Sequence, residues 1–420
     1  MFKGDKVIWI IFFFLCIVSI VEVYSASSSL TYKSGNFLAP VRRHAGFLLA
    51  GFCSMLVMLQ IKCKYFKLAT PVMIGVSLVL LVIVLIFGQS TNGASRWMSV
   101  AGCQFQPSEI AKGSLILAVA QILSAMQTKD GAANKAFKYI MIISTIIIVP
   151  IMLENLSTAF LLGVTVYLMM IVGRIPKKYT IRLFLIVAAV GAIGLSTIFI
   201  AGKDSNPDTA QGESKEMVAS QTPKDEGAFD KVFHRMGTWK ARIKNHFADD
   251  VKPEEVDLDK DAQKAHAQIA IASSNFIGRG PGNSVERDFL SQAFSDFIYA
   301  IIIEETGIIG AGFVAFFYIA LLFRAGKIAN RCENNFPAFF CMGLALLLVT
   351  QALFNMAVAV GILPVTGQPL PLISRGGTST IINCVYLGII LSISRTAKKK
   401  DDKSKSTISE EAVEPLPDMV

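Results

Sequence analysis

A chain of 420 residues that is 53% hydrophobic and only 17% charged is too apolar for a soluble domain, because it carries several separate apolar runs of the length that a bilayer core demands of a helix. The net charge of +9 is met by cations in short loops beside those runs and needs no nucleic-acid partner. Seven cysteines form an odd set, mostly inside the apolar runs with Cys103 outside, and show neither CxxC nor metal-type spacing, so no disulfide framework or zinc site follows.

The apolar runs lie at roughly 7–24, 45–61, 68–87, 107–126, 138–153, 158–173, 181–201, 297–323, 337–360 and 379–394. Backbone groups in lipid have no water to satisfy them, so each run must be helical. The fold class predicted is an all-α integral membrane protein with about ten transmembrane helices. The first run could instead be a cleaved signal peptide, since the small residues Ser25-Ala26-Ser27 follow it; cleavage would leave the later topology unchanged. Lys3 and Lys6, Lys62 to Lys67, Lys129 to Lys138, Arg174 to Arg182, Arg324 to Arg331 and Arg395 to Lys400 fall in loops of one parity. The other short loops carry few cations. Positive-inside bias then places both termini in the cytoplasm.

In chain order, the first polar segment on the opposite side is Gly93-Ala94-Ser95-Arg96-Trp97, leading into Phe105-Gln106-Pro107-Ser108-Glu109 and Lys112. Pro107 suits a first helical turn, with Ser108 and Glu109 favourable near its positive end. Glu109 and Lys112 stand i,i+3 on one face. They read either as a structural ion pair or as the wall of a polar cavity, since ionisable groups in membrane helices usually mark substrate routes. Glu154-Asn155-Leu156-Ser157-Thr158 reads as a tight turn with one acid.

A polar stretch from 202 to 295 follows the seventh run. Its first part, 203–230, is rich in Asp, Ser, Gln, Lys and Gly and reads as mobile; the rest regains apolar residues, with a helix-like run from Asp261 to Phe276. Gly278-Arg279-Gly280-Pro281-Gly282-Asn283-Ser284, then Arg287, could bring amides to an anion or be a plain flexible turn. Asp296 stands where this loop meets the eighth run. Partly desolvated there, its carboxylate suits a general base, and it equally suits a helix N-cap. Glu304 and Glu305, about two turns deeper, must face a partner or cavity.

The last such segment, Gly361 to Ser379, holds three prolines among apolar residues. It suggests a re-entrant hairpin buried against protein, or a simple structural loop. Ser374-Arg375 with Gly376-Gly377 could grip a diphosphate at the headgroup level. Residues 1–395 read as one polytopic membrane domain including the loop 202–295, and 396–420 as a disordered cytoplasmic tail. Arg96, Lys112, Arg287 and Arg375 place cations, and Asp296 a carboxylate, on one side of the membrane. That suits a lipid-linked diphosphate substrate with a base acting on an acceptor hydroxyl.

In this order the segments resemble the SEDS family (shape, elongation, division, sporulation), the membrane glycosyltransferases of bacterial peptidoglycan synthesis. Arg96-Trp97 with Phe105 to Glu109 and Lys112 is similar to one family motif, and Gly282-Asn283-Ser284 with Asp296-Phe297-Ile298 to the motif around the catalytic aspartate. Gly361 to Gly377 is similar to the Pro-rich signature, and the likeness covers about residues 5–395. Leu363-Pro364-Val365-Thr366-Gly367 leans towards the division branch over the elongation branch. The resemblance implies polymerisation of lipid II with undecaprenyl diphosphate leaving, at the outer face of the inner membrane, at the division septum. It implies Asp296 as the catalytic base and Arg96, Trp97, Glu109, Lys112, Asn283, Ser284, Arg287, Ser374 and Arg375 as substrate-binding residues. A divalent cation, Mg or Mn, could assist the leaving group, with no metal ligand assigned and no organic cofactor. The implied partners are a class B penicillin-binding protein, a transpeptidase docking along spans eight and nine and the large loop, and other membrane proteins of the division machinery.

Five positions depart from the family pattern. Asn155 stands for an aspartate and Ser291-Gln292 for a Pro-Glu pair; Phe294 stands for a histidine and Arg375 for a tyrosine. These put the accessory acids in doubt. The rival functions are an elongation-type polymerase, a lipid II flippase, and a non-catalytic scaffold that activates a transpeptidase.

Overall fold

In the computed structural model, residues 3–26, 39–87, 89–91, 94–100, 103–201, 262–290 and 294–411 are described. They form α1 (Lys6–Ala26), α2 (Ala39–Gln60), α3 (Cys63–Phe87), α4 (Pro107–Ala125), α5 (Asn134–Glu154), α6 (Leu156–Val172), α7 (Lys177–Ala201), α8 (Ala262–Ser273), α9 (Ile298–Asn330), α10 (Asn335–Ala359) and α11 (Thr378–Glu411). Ten of these coincide with the apolar runs read from the sequence, and α8 lies in the long polar stretch. Among the described residues, eight are long and apolar enough to cross a membrane, and α6 is a shorter apolar helix. The first part of the long stretch, 203–230, lies outside the described residues. The last helix continues to Glu411, past the boundary expected at residue 395.

The segment between α3 and α4 is not a plain loop. It forms an antiparallel sheet, β1 (Gln89–Thr91), β2 (Ala94–Val100) and β3 (Cys103–Phe105), in the order β1-β2-β3. Thr378, at the start of α11, donates to the Gln104 carbonyl at 3.0 Å, which ties this sheet to the last helix. A two-strand ribbon, β4 (Gln127–Thr128) with β5 (Gly131–Ala132), joins α4 to α5.

Local chemistry explains where the helices begin. Asp5 accepts from the amides of Val7 (2.9 Å) and Ile8 (3.4 Å) at the head of α1. Pro107 occupies the first turn of α4 with Glu109 beside it, as expected near the positive helix end. The Glu154–Thr158 turn is a single residue, Asn155, whose side chain caps α6 by accepting from the Thr158 amide at 3.3 Å.

Helices α4, α10 and α11 are buried on most faces, whereas α2, α3, α5 and α9 bury one stripe and present the rest outward. Helices in lipid gain no hydrophobic drive from one another, so close packing must hold them. Gly343 of α10 lies where a Cβ would stand 2.6–2.8 Å from Met169 of α6 and Ile116 of α4; at Gly113 of α4 it would meet the Tyr386 ring of α11 at 2.7 Å. At one end of the bundle, Arg324 of α9 pairs with Asp5 at 2.7 Å, and Ser394 of α11 accepts from the Asp5 amide. That joins the first, eighth and last apolar runs.

Candidate functional site

The Pro-rich segment between α10 and α11 is irregular backbone buried inside the bundle. Such backbone is tolerated at membrane depth only when protein satisfies its polar groups, and four of its carbonyls are satisfied by side chains of surrounding helices. Asn355 of α10 donates to Gln368 O at 2.7 Å, and Gln351, one turn earlier, to Pro369 O at 3.0 Å. Tyr318 of α9 donates to Pro371 O, and Ser19 of α1 to Ile373 O at 2.7 Å. Ser19 has one hydroxyl hydrogen, so its 2.7 Å contact with His44 of α2 makes the imidazole Nε2 the donor. Leu372, buried at the tip, is held at φ +69°, a left-handed conformation that a leucine adopts only when its surroundings enforce it. The segment is buried against protein, as the hairpin reading expects.

This hairpin meets the turn that leads into α9. Ser374 donates to Ser295 O at 2.6 Å and accepts from the Leu370 amide at 2.7 Å. The Arg375 amide donates to Phe294 O at 3.0 Å, and its guanidinium lies over the Phe294 ring at 5.2 Å. Burial, and secondarily the charge of Arg43, lower the Arg375 pKa from its ordinary value; it is a crowded, half-buried cation. Asp296 is half-buried, and Ser295 donates to its Oδ1 at 3.0 Å. The cap position of α9 belongs to Phe297, without a side-chain bond, so Asp296 stands one residue outside the helix and is not its N-cap.

Lys112 is fully enclosed and donates at 2.8 Å both to Glu109 and to Gln351. The predicted ion pair is therefore formed, and it faces α10 instead of an open cavity. Tyr386 of α11 donates to the Glu109 carbonyl at 2.6 Å. Gln368 of the hairpin donates to Thr158, just after Asn155, at 2.8 Å, which brings the α5–α6 turn to the same place.

The remaining predicted residues form a second cluster around a break in α9. At Gly307 the backbone turns to φ +70°, and the loop before Asp296 fills the break: the Arg279 and Gly280 amides donate to Glu304 O (3.0 Å) and Glu305 O (2.8 Å). Glu304 takes Arg279 (3.2 Å), the Ser284 hydroxyl (2.5 Å) and the Val285 amide (3.0 Å). Glu305 takes the Gly282 amide at 3.0 Å and Ser25 of α1. Arg287 donates to Ser25 (3.1 Å) and Gly282 O (2.6 Å), and Asn283 to Arg279 O (3.0 Å). Ser284 and Arg287 thus secure the loop to α9 and α1, Asn283 closes the loop on itself, and the two glutamates have the protein partners their position required. Arg96 and Trp97 lie on β2, Trp97 opposite Gln89, and their side chains lie outside the described residues.

The structure therefore divides the predicted set. Glu109, Lys112, Asp296, Ser374 and Arg375 share one bonded network with the hairpin, while Asn283, Ser284 and Arg287 belong to the Glu304–Glu305 cluster. Sequence reasoning missed Gln351, Asn355, Gln368 and Thr158. The available signal was a pair of amides one turn apart in an otherwise apolar membrane helix. Among the described residues, no three His, Cys, Asp or Glu side chains gather to hold a metal ion.

The family described as cell cycle protein (FtsW, RodA and SpoVE) matches residues 5–399. A probable peptidoglycan glycosyltransferase FtsW of Trichlorobacter lovleyi is 31% identical over 405 residues, covering 94% of each chain. Its counterpart in Geobacter sulfurreducens is 28% identical over 401 residues, covering 94% of this chain and 96% of that one. Among solved structures, a chain from a study of polymerization and crosslinking by a peptidoglycan synthase complex superposes with a TM-score of 0.69 at 21% identity, covering 94% of this chain and 98% of that one. The Thermus thermophilus rod shape determining protein RodA gives 0.61 at 20%, covering 93% and 97%. At that identity the structures speak for the fold, and they are the same multi-helix architecture. The chain is a multi-pass membrane protein that belongs to the FtsW, RodA and SpoVE family of cell cycle proteins.

Proposed function

We propose that this chain is a peptidoglycan glycosyltransferase that polymerises lipid II at the outer face of the inner membrane, in the septal branch of wall synthesis. The observation that carries the reading is the placement of Asp296: a half-buried carboxylate on a turn pinned to the buried hairpin, two residues from Phe294, over which the Arg375 cation lies. The names borne by the relatives support the reaction class and the division branch.

In the reaction, the Asp296 carboxylate takes the proton of the acceptor sugar's 4-hydroxyl. The oxygen attacks the anomeric carbon of the growing strand as the bond to undecaprenyl diphosphate breaks, with inversion. Arg375, half-buried and so weakly screened, stabilises the charge developing on the leaving diphosphate. Arg96 is assigned to the same task from the rim. Lys112 stays with Glu109 and Gln351 and sets the polarity of the inner wall. No step runs through a metal; Mg and Mn belong in the assay as added components.

The transpeptidase partner, a class B penicillin-binding protein, is assigned to α9 and α10. Phe313, Phe316, Ile319 and Phe323 form an exposed apolar stripe along α9, suited to a single membrane-spanning helix. The reading is tested with purified chain in lipid vesicles, with and without the transpeptidase and with Mg, Mn or chelator. Labelled lipid II should become glycan strands. Lipid II crossing the bilayer without strands would favour a flippase, and transpeptidase stimulation without strands would favour a scaffold.

A further inference from the structure

Three consecutive carbonyls leading to and including the assigned base are each taken by a different donor. Arg375 N holds Phe294 O (3.0 Å), Ser374 Oγ holds Ser295 O (2.6 Å) and Asn355 Nδ2 holds Asp296 O (2.8 Å). Asn355 differs from the other two in coming from neither loop. It projects from α10, is 1% exposed, and its one nitrogen also holds Gln368 O at 2.7 Å. We propose that Asn355 is a positioning residue of the transfer reaction, its side-chain amide fixing the Asp296 backbone to the Pro-rich hairpin so that the carboxylate stands at a set distance from the acceptor hydroxyl. The proposal rests on the assignment of Asp296 as base.

The chemistry of the amide supports this role. Both of its hydrogens point at carbonyl oxygens, so the opposite flip would set Oδ1 against two acceptors, and the orientation is fixed. Oδ1 itself has no hydrogen-bond partner among the described residues. An apolar side chain in this place would leave Asp296 O and Gln368 O without this donor, so the amide is what couples the two segments. Gln351, one turn away, repeats the pattern: it ties Pro369 O of the same hairpin to Lys112. A rigid helix thus registers the hairpin and the Asp296 turn against each other. A shift of about 1 Å in a reacting group costs about 10²-fold in rate.

The test uses the full chain with its transpeptidase and compares Asn355→Asp, Asn355→Ser, Asn355→Ala and Asp296→Ala. Asn355→Asp keeps the shape and replaces the donor by an acceptor, and should lower kcat about 10²-fold with KM for lipid II within about twofold. Asn355→Ser keeps one donor and should fall between wild type and Asn355→Ala, which provides the answer if the aspartate variant does not fold. The acid limb of the kcat–pH profile should move in the serine variant, because the Asp296 carboxylate no longer sits in its original surroundings. Wild-type kcat in folded Ser and Ala variants, or a lower unfolding midpoint with kcat unchanged, would overturn the proposal while an inactive Asp296→Ala left the base assignment standing. Activity in Asp296→Ala would instead remove the base assignment, and the positioning role with it.

Discussion

The pair Glu109–Lys112 shows what a residue-level reading captures and what it misses. Its i,i+3 spacing in the first turns of a helix makes the pair legible from sequence. Its third member, Gln351, is 239 positions away and is fixed only by how α4 and α10 pack. Both charges are enclosed, with side chains 1% and 3% exposed. Removing one partner from such a pair leaves an uncompensated buried charge, which costs about 3–5 kcal/mol. Lys112→Met alone should therefore lower the detergent unfolding midpoint sharply, and the double variant Lys112→Met/Glu109→Gln should recover most of it. A single variant as stable as the double one would contradict the enclosed pair. Phe294 and Arg375 carry a related lesson. Each alone reads as a lost family side chain; in the fold they stack on each other, and no local pattern in sequence announces that. Arg375→Gln should slow polymerisation about 10²-fold. Arg375→Lys should fall between, since it keeps the charge and loses the planar fork and the stacking. Equal rates in the two variants would argue against leaving-group stabilisation by charge.

At the scale of elements, helix positions were legible because apolar runs of membrane length have one backbone solution. Two features were not. The β1–β3 sheet follows from pairing across a short polar segment that lacks a long alternating pattern. The break in α9 hides because Gly307 is one of four glycines in that helix, and a glycine inside a helical pattern reads as tolerated. Gly307 has φ +70°, and a Cβ there would stand 2.3 Å from Phe276 O; at Gly278 it would stand 2.3 Å from Glu305 O. Neither contact can yield without moving backbone. Gly307→Ala should cost about 1–3 kcal/mol and release the 276–290 loop, read as faster amide exchange there. Gly312→Ala, in the same helix with nothing within 4 Å of its Cβ, serves as the control and should leave exchange unchanged. Protection preserved in Gly307→Ala would mean that the loop does not depend on the break.

For the whole molecule, the order of the helices was readable from the apolar runs, while the assembly of the site was not. Lys112 and Asn355 come from two helices, and Asp296, Ser374 and Arg375 from two loops; only tertiary packing brings them into one network. The orientation makes its own prediction. A reporter inserted at 129–130, between β4 and β5, should behave as cytoplasmic, and one inserted within 203–230 as extracytoplasmic, if the positive-inside bias of the Lys-rich loops sets the topology. The reverse pattern would place the Asp296 network on the wrong face for a substrate presented outside.

The most direct measurement is strand formation from labelled lipid II by the wild-type chain with its transpeptidase beside Asp296→Ala, with matched unfolding midpoints confirming that both are folded. The account predicts strands from the wild type and at least about a 10²-fold loss in the variant, the contribution expected of a positioned general base. Equal strand formation by a folded Asp296→Ala protein would contradict it.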